Sequence, residues 1–118
     1  MTKNEYNGWT NYETWVVSLW MDNEQPTQEY WAEKAREALL KANDTPSANY
    51  RMTGVEPFTV EERAALALDD ILKEEHESAL PELEGFASDL LSAAMSEVNW
   101  HEIATHLVAA AKESLARD

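Results

Sequence analysis

Three histidines and 23 acidic residues carry most of the acid–base and metal-binding potential of this 118-residue chain, which has no cysteine. His101-Glu102, followed by His106, comes near the zinc-protease spacing, in which two His four residues apart face one metal. Here the two His are five apart, about 140° around a helix of 3.6 residues per turn. Both His101 and Glu102 read instead as residues of a helix N-terminus. A di-iron carboxylate site needs Glu three residues before His, but His76, His101 and His106 follow Lys73, Val98 and Ile103 at that spacing. In Glu74-Glu75-His76-Glu77 adjacent side chains point in different directions, which describes a solvated face. No acid sits inside an apolar run, and there is neither a glycine-rich phosphate loop nor a nucleophile elbow. The sequence predicts no enzyme, no cofactor and no metal site.

What remains is charge. The 23 acids oppose 9 Lys plus Arg, a net charge of −14. Such an excess works against the compact state through self-repulsion. It is concentrated: from Glu56 to Glu102 thirteen acids face only Arg63 and Lys73, a net −11 over 47 residues. Within that stretch Asp69, Asp70, Glu74, Glu75, Glu77, Glu82 and Glu84 place seven acids in sixteen residues, opposed by Lys73. This density repels nucleic acid, whose binding needs a basic footprint, and attracts proteins that bind nucleic acid. Carboxylates one helical turn, about 5.4 Å, apart come near the charge spacing of one DNA strand when two rows combine. A face kept acidic only for solubility is the plainer alternative.

These groups require a folded support. Apolar content of 44% and five Trp are too high for a disordered acidic tail. The length is that of one domain, residues 1–118. Only three Gly, with four Pro near helix boundaries, argue against a loop-rich β protein. No apolar run of signal or membrane-span length exists, so the expectation is a soluble cytoplasmic protein.

Five helices are predicted, an all-α bundle. Thr10-Asn11-Tyr12-Glu13 reads as a capping box with Thr10 as N-cap, followed by a buried stripe of Tyr12, Trp15, Val16, Leu19 and Trp20. Thr27 is expected to cap a second helix with Tyr30, Trp31, Ala35, Ala38, Leu39 and Ala42 inward. Residues 43–57, or about 43–58, read as one long irregular loop, functional or mobile by its length, with a short hairpin as the alternative. Thr59-Val60-Glu61-Glu62 is a second capping box, and Ala64, Ala67, Leu68, Ile71 and Leu72 follow as the buried stripe. A fourth helix carries Phe86, Leu90, Leu91, Ala94, Met95 and Val98. Asn99 caps the fifth, with Val98 and Ile103 as a hydrophobic staple. At this spacing the aromatics are mostly core, and Tyr6 and Trp9 are the ones expected to be exposed.

Gly8-Trp9-Thr10-Asn11-Tyr12-Glu13-Thr14-Trp15, continuing to Leu19-Trp20-Met21-Asp22-Asn23, and Glu97-Val98-Asn99-Trp100-His101-Glu102-Ile103-Ala104 carry a resemblance. They are similar to the NYETW and EVNWxEIA motifs of a family of short uncharacterised proteins from bacteriophages and other mobile elements. The resemblance brings no activity with it. It implies a genomic context in which small acidic proteins inhibit host defence, some by imitating DNA. The expectation is an inhibitor of a CRISPR effector or restriction enzyme, set in the host bacterial cytoplasm. Its partner would be a basic nucleic-acid-binding protein of the defence machinery, with no direct nucleic acid and no membrane. The second reading is a protein-interaction module that uses the aromatic N-terminus and the middle loop.

Overall fold

A computed structural model describes residues 6–46 and 48–117, residues 48 and 49 by their backbone alone. Within them the chain is all-α: α1 (Tyr12–Asn23), α2 (Gln25–Asp44), α3 (Ala48–Thr53), α4 (Val60–Ser78), α5 (Gly85–Ser96) and α6 (Trp100–Arg117). A further helix, α3, lies inside the stretch expected to be an irregular loop, and among its described residues there is no strand to form a hairpin. Gly54 ends it with φ 77°, its N–H bonding the Tyr50 carbonyl at 2.7 Å.

Helices α2, α4 and α6 pack against one another and form the core. Ala35, Ala64 and Ala104 are fully buried beside Leu68, Leu72, Ile103 and Val108, so small side chains let the helices approach while the large ones fill the space. Each fully buried large aliphatic side chain contributes about 1.5–3 kcal/mol. The capping box on α4 forms as read: Thr59 Oγ1 accepts the Glu62 N–H at 3.0 Å, and Glu62 Oε1 accepts the Thr59 N–H at 2.8 Å. At α6 the Asn99 Oδ1 accepts the Glu102 N–H at 2.9 Å, with Val98 and Ile103 both buried.

Two other helix starts differ from the sequence reading. The N-cap of α1 is Asn11, whose Oδ1 accepts the Thr14 N–H at 2.9 Å; Thr10 spends its own N–H on Glu102 Oε1 at 3.1 Å. Helix α2 begins at Gln25 with Glu24 as its N-cap, so Thr27 does not cap it and lies with Pro26 inside the first turn. A first-turn proline loses nothing there, because its missing N–H would have had no helical partner.

Helix α1 is also rotated. Its buried residues are Thr14, Ser18 and Met21, while Tyr12 is 53% and Trp20 65% exposed and Leu19 is also outside. Positions 14, 18 and 21 share one face at i, i+4, i+7, so the small polar side chains face the bundle. The cause is hydrogen bonding. Asn11 Nδ2 donates to the Glu97 carbonyl at 2.6 Å, and Thr14 Oγ1 accepts the Asn99 N–H at 2.9 Å while donating to Asn11 Oδ1 at 2.6 Å. These bonds fix which face of α1 meets the start of α6.

Further departures lie on faces read as inward. Tyr30, Ala67 and Ile71 are exposed, leaving Trp31, Ala35 and Leu39 on α2 and Ala64, Ala65, Leu68 and Leu72 on α4 as the buried sets. Helix α5 buries no side chain completely, and Phe86 and Leu90 are 79% and 63% exposed. The radius of gyration, 16.1 Å, exceeds the about 13.5 Å of a closely packed chain of this length, in keeping with α5 lying outside the three-helix core.

Candidate interaction surface

The solvent side of α4 follows from the helical repeat. With Ala64, Leu68 and Leu72 inward, steps of about 100° put Asp70, Glu74 and Glu77 outward with Lys73 among them. These four and Ser78 line an open depression on the helix. At the C-terminal end of α4 the chain turns through Pro81 toward α5. There Glu77, Glu82 and Glu84 edge a cleft of about 1240 Å³ whose walls include Leu80, Leu83 and Met95.

The seven acids singled out by sequence therefore divide. Asp70, Glu74, Glu77, Glu82 and Glu84 form one run along the outer side of α4 and into the cleft, and among the described residues none of the five is in an ion pair. Asp69 turns toward α6, its Oδ2 2.9 Å from His101 Nδ1. Glu75 turns toward α2 and accepts the Tyr30 hydroxyl at 2.8 and 3.0 Å. The bond to Glu75 is the first cause of a raised Tyr30 pKa, with desolvation second.

The bases of this region are unequal in effect. Arg63 is committed inside the fold: it pairs with Glu56 at 2.7 Å and donates to the carbonyls of Phe58 and Ala42, both at 2.8 Å. It thereby fastens the end of α2 to the connection leading into α4. Lys73 remains on the ridge. On the other flank Lys112 bonds Glu61 at 2.8 Å and holds that carboxyl below its usual range.

Each of the three histidines has a side-chain neighbour. His101 faces Asp69. His106 stacks on Trp9 with ring centroids 4.2 Å apart. His76 lies between Trp31 and Trp100, at 5.5 and 5.2 Å, its Nδ1 2.8 Å from the Leu72 carbonyl. Among the described residues no group of three or more His, Asp or Glu is arranged to hold a metal ion, and no helix is long and apolar enough to cross a membrane.

Trp9, expected outside, is partly buried against the core. Sequence reading passed over the turn that puts it there. Asn7 and Gly8 have φ of 47° and 88°, and Tyr6 and Trp9 exchange two N–H···O bonds of 2.8 Å each. Asn-Gly is the residue pair this turn favours, so the signal was present. Tyr6 then packs on Tyr12 and Trp15, at 5.1 and 4.8 Å. The solvent-facing residues Phe86 and Leu90 were also missed, because a helical period shows that a stripe exists but not whether anything covers it.

The two sequence motifs form one unit: Asn11 and Thr14 of the first bond to Glu97 and Asn99 of the second. No curated protein and no solved structure matches the chain. One family profile covers residues 2–113, and the chain accordingly belongs to that family, a family of unknown function designated DUF7249.

Proposed function

We propose that this protein is a phage-type inhibitor of a host nucleic-acid-targeting defence system, a CRISPR effector complex or a restriction enzyme. It occupies a Lys/Arg-lined channel by presenting acids in place of DNA. The observation that carries this reading is the run of Asp70, Glu74, Glu77, Glu82 and Glu84, unneutralised except for neighbouring Lys73. Asp69 and Glu75 flank the run and add to its field. A surface of one sign steers a basic partner, raises the encounter rate and loses that advantage as salt rises. The role is charge complementarity without catalysis. The resemblance to mobile-element proteins supports the setting, the host bacterial cytoplasm.

The test is a plasmid-transformation assay in strains carrying defined CRISPR or restriction systems. Protection by this gene in at least one strain, lost on neutralising the ridge, is the expected result. Protection in none would count heavily against the proposal. A second reading, an interaction module of a mobile element, is favoured by the outward Tyr12, Leu19 and Trp20 on α1 and by exposed Met52 and Val55 in the middle segment. Capture of a partner at low and high salt separates the two, because an aromatic interface keeps its partner in salt and an acidic one releases it.

A further inference from the structure

The acidic run ends beside an apolar surface that charge imitation does not use. Leu80, Leu83, Leu91, Met95 and Trp100 line the cleft between the end of α4 and α5, and three acids, Glu77, Glu82 and Glu84, line it with them against a single base, Lys73. On the opposite face of α5, roughly 150–170° around the helix from the cleft, Phe86 and Leu90 are exposed as well. A helix apolar on most sides is ordinarily buried, and contiguous exposed apolar surface marks a contact site. The cleft, about 1240 Å³, is a trough open to solvent rather than an enclosed cavity. It therefore suits a polypeptide segment laid along it.

Charge identifies the occupant. A second copy of this chain would bring its own Glu77, Glu82 and Glu84 against the first set, and like charges across an interface oppose association. A segment with one apolar face and one basic face satisfies both parts of the cleft. Met95 adds an adaptable wall, as methionine does in grooves that accept varied helices. We infer that the α4–α5 cleft binds a cationic amphipathic helix of a partner protein. The inference rests on the proposed function only for the sign of the partner's charge; the apolar contact is additional to it.

The test uses the whole protein and a fluorescently labelled Lys/Leu peptide patterned to give one basic and one apolar helical face. Two other peptides accompany it, a scramble of the same composition and an oligolysine. The patterned peptide is expected to bind at least about tenfold more tightly than either. Leu83→Glu should weaken that binding about tenfold or more even though it adds negative charge, and Glu82→Lys with Glu84→Lys should abolish it. Glu29→Lys with Glu37→Lys, the same charge change on exposed positions of α2, should leave most of it. Circular dichroism confirms that each variant is folded.

Equal binding of scramble and patterned peptide, or wild-type affinity in Leu83→Glu, would overturn the inference. So would a wild-type dimer in solution that Leu83→Glu converts to monomer, since the cleft would then be filled by a second copy. Defence inhibition by Leu83→Glu is scored separately in the transformation assay. Peptide binding without any defence inhibition would remove the proposed function and keep the cleft, and the converse would remove the cleft alone.

Discussion

Thr14 Oγ1 accepts the backbone N–H of Asn99 at 2.9 Å, across 85 positions of the chain. Thr14 is fully buried, and its hydroxyl proton goes to Asn11 Oδ1 at 2.6 Å. The N-termini of α1 and α6 are thus capped in one shared network. Thr14→Val keeps the shape and removes both bonds, leaving the Asn99 N–H without its acceptor. The expected cost is about 1–3 kcal/mol, read as a lower thermal midpoint, while Thr14→Ser should recover most of it. Equal midpoints for Val and wild type would mean that the two motifs are not coupled through this hydroxyl.

The tryptophans should rank by burial. Trp100 is buried in the core and contacts His76, so Trp100→Ala is expected to cost about 3–5 kcal/mol, a large share of a domain's stability. Trp15 is only partly buried and its Ala variant should lose less. Trp20, 65% exposed, should lose almost nothing. A Trp20→Ala variant that melts like wild type but loses its partner would favour the aromatic interface over the acidic one. Denaturant melts of the three variants give the order.

Much of the fold was legible because its signals are local. Thr59 with Glu62 and Asn99 with Glu102 declare helix starts by type and spacing, and Leu68, Leu72 and Ile103 are placed inward by their spacing. The rotation of α1 was not legible. Tyr12, Trp15, Val16, Leu19 and Trp20 form the more apolar stripe, and only the long-range bonds of Asn11 and Thr14 turn it outward. The acidic run was visible in composition, yet its division was not: Asp69 and Glu75 leave it because His101 and Tyr30, distant in sequence, sit on the two flanks of α4. The cleft depends on where α5 stands, which no periodicity specifies.

Arg63 should matter more than its place in an acidic stretch suggests. It joins Glu56, Phe58 and Ala42 through one guanidinium. Lysine cannot reproduce that fork, so Arg63→Lys should behave nearly as badly as Arg63→Ala. The expected signature is faster amide exchange and easier proteolysis in 45–58, with the α4–α6 core still protected. Uniform loss of protection throughout would show that this connection does not open on its own.

The bond between Tyr30 and Glu75 gives an alkaline signature. Because the folded phenol's pKa is raised, its contribution is complete below the ordinary value of 10.0 and is lost as pH rises through the raised value. Glu75→Gln should move the phenolate absorbance step of Tyr30 downward. On the acid side the lowered Glu61 carboxyl works oppositely: its contribution is present above 4.5 and is lost as pH falls through the lowered value. Tyr30 is exposed and Glu61 partly so, so solvent screening should keep the stability changes small. An unshifted phenolate titration in Glu75→Gln would show that this bond does not persist in solution.

Replacing Glu74, Glu75 and Glu77 together by Gln tests the acidic segment itself. Size and helix propensity are nearly kept while three charges go. Relief of repulsion along the ridge should raise stability slightly, offset in part because Tyr30 exchanges an ionic acceptor for a neutral one. If the ridge stands in for DNA, inhibition should fall sharply and the salt dependence of partner binding should flatten, because complementary charges set the encounter and part of the affinity. If the ridge only keeps the protein in solution, inhibition should survive and solubility should drop. Asp70→Asn with Glu74→Gln, which leaves Tyr30 and the cleft intact, separates the ridge from its neighbours. Unchanged inhibition and an unchanged salt slope in both variants would move the site to the exposed face of α1 or the middle segment, and would end the DNA-mimic reading.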